Sequence, residues 1–106
     1  MVTGKNKEQF KIFYETITGG NYKIPYQNFM AYPFEMQIGV YLAYYDSLSI
    51  FIDSDLSYDL VDEELSDEWE SGFWYKKDYS INKGYFNSRN EAYKEAFKQA
   101  DKLMNK

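Results

Sequence analysis

FEMQIGVYLAYYDSLSIFID, Phe34–Asp53, is the stretch whose reading decides the fold. Met36, Ile38, Val40, Leu42 and Tyr44 alternate with Gln37, Gly39, Tyr41, Ala43 and Tyr45. That is the period of two at which a strand turns successive side chains to opposite faces. Asp46-Ser47 offers a turn, after which Leu48, Ile50 and Ile52 take one side and Ser49, Phe51 and Asp53 the other. The stretch is therefore expected to form an antiparallel hairpin over Glu35–Asp53. Its second face, with Tyr41, Tyr45 and Phe51, would be covered by another element or left as a half-exposed aromatic surface.

Helices are expected at both ends of the chain. In NKEQFKIFYETITGG, Phe10, Phe13, Tyr14 and Ile17 recur at helical spacing. Thr3 or Asn6 is placed to cap the start of this helix, and Gly19-Gly20 to end it. Pro25 and Pro33 punctuate the aromatic connection that follows, which is expected to be an ordered loop with a short strand at Tyr22–Ile24. Near the C-terminus, Ser88-Arg89-Asn90-Glu91 reads as a capping box. Tyr93, Ala96, Phe97, Ala100, Leu103 and Met104 then form an apolar stripe. Between the hairpin and this helix, GFWYKKDYS reads as a strand and INKG as a turn. The expected fold is α+β: a small antiparallel sheet with an N-terminal and a C-terminal helix packed on one face. Ile38, Val40, Leu42, Ile50, Ile52, Tyr93, Phe97 and Phe10 would form its core.

With 106 residues, the chain fits one domain, 1–106. Aromatic residues make up 21% of it, which supplies large buried areas at low rotamer cost. There is no cysteine and no histidine. That removes disulfides, thiolate nucleophiles, the commonest general base and the usual ligands of zinc. No cofactor is implied. The start, MVTGKNKEQF, has no apolar signal core, and no run approaches the ~20 apolar residues that span a bilayer. A soluble, cytoplasmic protein without a membrane partner is expected.

The closing GYFNSRNEAYKEAFKQADKLMN resembles the ending of small phage and mobile-element proteins of unknown function. Those finish with a strand, F-x-S/T-R/Y-x-E-A and an Ala-rich helix. The likeness covers about the last quarter of the chain. It implies a phage-like genomic setting, and so a host-cell cytoplasm, rather than an activity.

Charge is distributed unevenly. The net charge is −5, yet residues 35–72 carry eleven Asp or Glu and no Lys or Arg. Nine of these acids fall within DSDLSYDLVDEELSDEWE, Asp53–Glu70. The segment reads either as a short helix on Val61, Leu65 and Trp69 or as a strand over SYDLVD. Three chemistries compete for it, beside the plain solvated face that a charge run often is. As metal ligands, Asp53, Asp55, Ser57, Asp59 and Glu64 occupy positions 1, 3, 5, 7 and 12 of an EF-hand window. Tyr58, however, stands where glycine makes the sharp turn, and a strand rather than a helix precedes it.

As catalytic carboxylates, Asp53-Ser54-Asp55 resembles the metal-holding pair of two-metal enzymes. Glycine-rich phosphate-binding chemistry is missing, and the nearest preceding carboxylates, Asp46 and Glu35, come with no phosphate-cradling motif. A glycosidase pair would need a sugar cleft for which a chain of this length has little room. The protein is therefore expected not to be an enzyme. As a partner surface, Asp55, Tyr58, Asp59, Asp62, Glu63, Glu64, Asp67, Glu68, Trp69 and Glu70 would meet a Lys/Arg-lined groove. The charges would steer association and the aromatics would anchor it.

The expected partner is thus a basic protein surface, that of a nucleic-acid-binding protein or nuclease. The chain would then be an inhibitor or nucleic-acid mimic of the anti-CRISPR, anti-defence or immunity type. Two alternatives are a calcium-binding domain through Asp53–Glu64 and a single-stranded nucleic-acid binder. The latter would use Lys76, Lys77, Lys83, Arg89, Lys94 and Lys98 with Trp74, Tyr75, Tyr79, Tyr85 and Phe86. The sequence pI of 4.7 disfavours direct nucleic-acid binding.

Overall fold

A computed structural model describes residues 2–17, 24–59, 64–75 and 78–106. In chain order the elements are α1 (Gly4–Ile17), α2 (Tyr26–Met30), α3 (Phe34–Ser47), β1 (Ile50–Asp59), β2 (Glu64–Tyr75), β3 (Asp78–Phe86) and α4 (Arg89–Met104). The strands form one antiparallel sheet in the order β1-β2-β3. Helices α4 and α3 lie against this sheet, and α1 packs behind them against both. This is a small α+β fold with its terminal helices and an antiparallel sheet. No helix among the described residues is long and apolar enough to cross a membrane.

The central stretch departs from its alternating pattern. Residues 34–47 are helix α3, and the expected hairpin over Glu35–Asp53 does not form; only the part from Ile50 onward is strand. The alternation misleads because both of its sets are apolar, so a period of two does not separate a wet face from a dry one. Helical spacing does. Gln37, Tyr41, Tyr44 and Tyr45 are buried, while Glu35, Met36, Gly39, Ala43, Asp46 and Ser47 are exposed, each set recurring at three and four residues. The exposed face is made of small or polar side chains apart from Met36. Pro33, with φ −56° and ψ 149°, sets the chain for entry into the helix.

The helix stops at a backward bend. Leu48 N donates to Tyr45 O and Ser49 N to Asp46 O, and Ser49 adopts a left-handed φ of 60°. That closing turn reverses the chain into β1 without a second strand from α3.

Burial follows from this exchange. Phe10, Phe97, Ile50 and Ile52 are buried as expected, but Ile38, Val40, Leu42 and Tyr93 are only partly buried and pack at the margin. Tyr41, Tyr44 and Tyr45 take the central places. Phe10 lies 5.0 Å from Tyr41 and 5.2 Å from Tyr44, centroid to centroid, and Phe97 stacks on Tyr45 at 5.8 Å. Tilted and edge-on ring pairs at these distances are favourable beyond the area they bury.

The other expectations divide. The loop between the prolines contains the short helix α2, and the proposed strand at Tyr22–Ile24 falls largely outside the described residues, as does Gly19-Gly20. INKG is not a turn: Ile81–Gly84 lie inside β3, paired through Ile81 with Gly72 and Asn82 with Ser71. The cap forms on Ser88 and Glu91 reaches back, though to the amide of Asn87 rather than that of Ser88. Glu91 N donates to Ser88 Oγ at 3.2 Å, and Asn87 N donates to Glu91 Oε2 at 3.0 Å.

Candidate functional site

A strand separates its residues onto two faces, so the register of β1 with β2 sorts the acidic segment. One series of opposed positions is Ile50 with Tyr75, Ile52 with Phe73, Ser54 with Ser71 and Leu56 with Trp69. Ile50, Ile52, Ser54 and Ser71 are buried, and Ser54 Oγ donates to the carbonyl of Arg89 in α4 at 2.9 Å. This series is the side covered by helices. The alternate series is Phe51 with Trp74, Asp53 with Gly72 and Asp55 with Glu70. Phe51 and Trp74 in it are exposed, by 50% and 44%, on the side of the sheet that the helices leave open, while Gly72 on the central strand is buried.

Beyond a break in register between Leu56 and Tyr58, Tyr58 pairs with Leu65 and Asp59 with Glu64. Asp67 and Glu68 lie in β2 within that break. Of the ten residues expected to meet a partner, Asp55, Tyr58, Asp59, Glu64, Asp67, Glu68, Trp69 and Glu70 are thus brought onto two adjacent strands. Asp62 and Glu63 lie outside the described residues. Two of the register pairs, Asp55 with Glu70 and Asp59 with Glu64, set carboxylate residues directly opposite each other, an arrangement that costs stability.

The arrangement alters two expectations. First, the EF-hand window is not a loop. Asp53, Asp55, Ser57 and Asp59 lie along one extended strand, in which six residues advance about 20 Å, and Glu64 sits across from Asp59. An EF-hand cage wraps its ligands around one point, and this backbone does not. Second, Trp69 is not a bare anchor. It is half-buried beneath Arg89, whose guanidinium carbon lies 4.8 Å from the ring centroid. Lys94 Nζ likewise stands 5.2 Å from the centre of Phe34. Two bases of the proposed nucleic-acid surface are therefore stacked on the protein's own aromatic rings. Lys76 and Lys77 lie outside the described residues, and Lys83 is in β3.

The helical layer begins at Arg89, which meets the sheet at Ser54 and Trp69. Past that point β1 and β2 run on to Asp59 and Glu64. The acidic strands accordingly form the part of the sheet that extends beyond the start of α4.

A polar cluster not apparent in the sequence joins the two ends of the chain. Asn6, fully buried in the first turn of α1, accepts from Tyr44 OH at 2.6 Å through Oδ1. Its Nδ2 donates to Tyr45 OH at 3.0 Å and to Asp101 Oδ1 at 2.7 Å. Asp101 also accepts from Thr3 N and Thr3 Oγ1, at 2.8 and 2.6 Å. Asn105 closes the cluster, donating to Thr3 O and accepting from Asn6 N. Asn6 is thus a core residue rather than a cap, and Thr3 meets α4 instead of its own helix through its side chain. Burial, reinforced by the Asp101 carboxylate, pushes the Tyr44 phenol up to about 12. Burial likewise raises Tyr41 to about 12 and holds Tyr45 well above the usual phenol range, although the hydrogen bond from Asn6 opposes the latter. These phenols are neutral structural groups at physiological pH. These partners are side chains and backbone groups of α1, α3 and α4 and of the residues leading into and out of them, which assigns the cluster to holding the three helices together.

No family model, curated protein or solved structure matches the chain.

Proposed function

We propose that the chain is a non-catalytic binding protein whose acidic strands occupy a basic surface of a nucleic-acid-handling protein. The observation that supports this most is the register of β1 with β2. It places Asp55 opposite Glu70 and Asp59 opposite Glu64, with Asp53 one step along the same series. Two residues of antiparallel strand advance about 6.8 Å. That step is comparable with the distance between successive phosphates along a nucleic-acid strand. Carboxylates spaced in this way offer a phosphate-binding groove what it ordinarily holds. The self-repulsion of the series falls when a cationic surface covers it. An anti-CRISPR, anti-defence or immunity-type inhibitor is the most concrete form of this function.

The test compares the wild-type chain with a variant carrying Asp55→Lys, Asp59→Lys, Glu64→Lys and Glu70→Lys. Each is used to capture proteins from a phage-permissive bacterial lysate, with duplex DNA added as competitor. The expected result is a captured nucleic-acid-binding protein that DNA releases and that the variant fails to hold. Capture by the variant equal to that by wild type, or capture indifferent to DNA, overturns the proposal. A gel shift of single-stranded DNA by the wild-type chain, lost on Lys83→Glu with Lys98→Glu, would establish direct nucleic-acid binding instead.

A further inference from the structure

Both ladders of the sheet break beside Trp69. Between the pairs Leu56–Trp69 and Tyr58–Leu65, β1 has one residue, Ser57, where β2 has Ser66, Asp67 and Glu68. Between Trp69–Phe86 and Ser71–Asn82, β2 has one residue, Glu70, where β3 has Lys83, Gly84 and Tyr85. Extra residues of this kind bend the strand that carries them and sharpen its twist. The register of β1 with β2 is continuous from Ile50–Tyr75 to Leu56–Trp69, so the acidic strands leave the regular sheet through a bend at Trp69.

Arg89 stands at that bend. It is the first residue of α4 after the Ser88 cap, a place where the helix dipole disfavours a cation. Its guanidinium carbon lies 4.8 Å from the centre of the Trp69 ring, and its carbonyl accepts from Ser54 Oγ at 2.9 Å. One residue therefore holds both strands, β2 through its side chain and β1 through its backbone. Charge alone does not set it apart, because Lys83 lies in β3 within the second break and Lys76 and Lys77 precede that strand in sequence. Its place over the ring does, since a flat guanidinium stacks on an aromatic face as an ammonium cannot.

We infer that Arg89 is a positioning residue for the acidic surface: stacked on Trp69 between the two breaks, it fixes the direction in which residues 55–59 and 64–68 leave the sheet. The inference rests on the proposed acidic binding surface and adds what holds that surface ready. A surface fixed in advance loses less freedom when a cationic partner covers it.

Amide hydrogen exchange followed by NMR tests it in the wild-type chain, in Arg89→Gln and in Lys94→Gln. The two variants lose the same charge, but Lys94 stands over Phe34 rather than Trp69. Arg89→Gln should speed exchange of the protected amides in 55–59 and 64–68 by about two- to fivefold, the worth of an exposed cation–ring contact. Residues 50–53 and α4 should exchange as before, and Lys94→Gln should leave both strands unchanged. Decalysine, titrated by calorimetry, should bind Arg89→Gln about two- to fivefold more weakly than Lys94→Gln, because only the former must order the strands on binding.

Unchanged exchange in 55–59 and 64–68, or a rise shared by 50–53 and α4, overturns the inference. So does decalysine binding to Arg89→Gln as tight as to Lys94→Gln. Decalysine bound by no form of the chain overturns the acidic surface and with it the purpose assigned to Arg89, whereas unchanged exchange alongside binding overturns the inference alone. Should Arg89→Gln fail to fold, Arg89→Lys, which keeps the charge without the flat guanidinium, is read in the same way.

Discussion

Asn6 and Asp101 stand 95 positions apart in the chain, yet Asn6 Nδ2 donates to Asp101 Oδ1 at 2.7 Å and ties the start of α1 to the last turns of α4. Every polar atom of the Asn6 side chain is engaged, which is the condition under which a buried amide is tolerated. Asn6→Ala leaves the Tyr44 hydroxyl and the Asp101 carboxylate short of a partner. It should cost about 2–3 kcal/mol, read from the urea midpoint at unchanged m-value. Asn6→Asp keeps the volume but sets a carboxylate against Asp101. Its deficit should be large at pH 7 and shrink as the pH falls, because burial and the neighbouring like charge both favour the protonated form of the introduced acid. A deficit that does not change with pH would show that loss of the amide donor, not repulsion between carboxylates, sets the cost at this position.

The turn between α3 and β1 carries strain at one residue. Ser49 holds a φ of 60°, a conformation that costs an L-residue roughly 1–2 kcal/mol and glycine almost nothing. Ser49→Gly should therefore raise stability by about 0.5–1 kcal/mol, visible as a higher melting temperature. A loss of stability instead would mean that the chain does not leave α3 through a left-handed residue.

Glu70 tests the link between repulsion and binding. With Asp55 as its register partner, Glu70→Lys converts a like-charge pair into an opposite-charge one. Thermal unfolding should show a gain of about 0.2–1 kcal/mol. Association with the captured partner should slow, and its dependence on salt should weaken. Improved stability with unaltered association would separate the acidic series from function.

Alkaline pH should unfold the protein through its tyrosines. Tyr41 and Tyr44 titrate at about 12 in the folded chain, Tyr45 is raised too, and an unfolded phenol titrates near 10. The folded state holds the protons more firmly, so this contribution to stability is fully present below pH 10. It is lost as the pH rises from about 10 to about 12. Tyrosinate absorbance from these phenols, and from Tyr14, which burial also raises, should appear only above pH 10 and together with loss of helix by circular dichroism. A single stage near pH 10 with the helix intact would contradict their burial.

Legibility in the sequence follows the contrast between polar and apolar positions. Where neighbours differ sharply, as in the Ser88–Glu91 box and the stripe from Tyr93 to Met104, local pattern and final structure agree. In α3 the contrast is weak: tyrosines and aliphatics occupy both sets of an apparent alternation, and Tyr41, Tyr44 and Tyr45 are as able to face a core as Ile38 or Leu42. The face that is exposed, Glu35, Gly39, Ala43 and Ser47 at steps of four, carries the helical signal, but small residues mark it only faintly. For the candidate site, the sequence shows that the acids are concentrated. Which of them oppose each other depends on the register, and on a break in it between Leu56 and Tyr58.

Composition alone determined that the chain has no thiol or imidazole chemistry, that its core is aromatic, and that one segment carries most of its negative charge. Local spacing determined the two terminal helices and the cap of the second. Tertiary structure decided that Phe34–Ser47 is helical, because burying three tyrosine rings against Phe10 and Phe97 requires them on one helical face. It also decided that Phe51 stands beside Trp74 on the side of the sheet the helices leave open. Both outcomes depend on contacts between residues far apart in the chain, whose energies no local pattern contains.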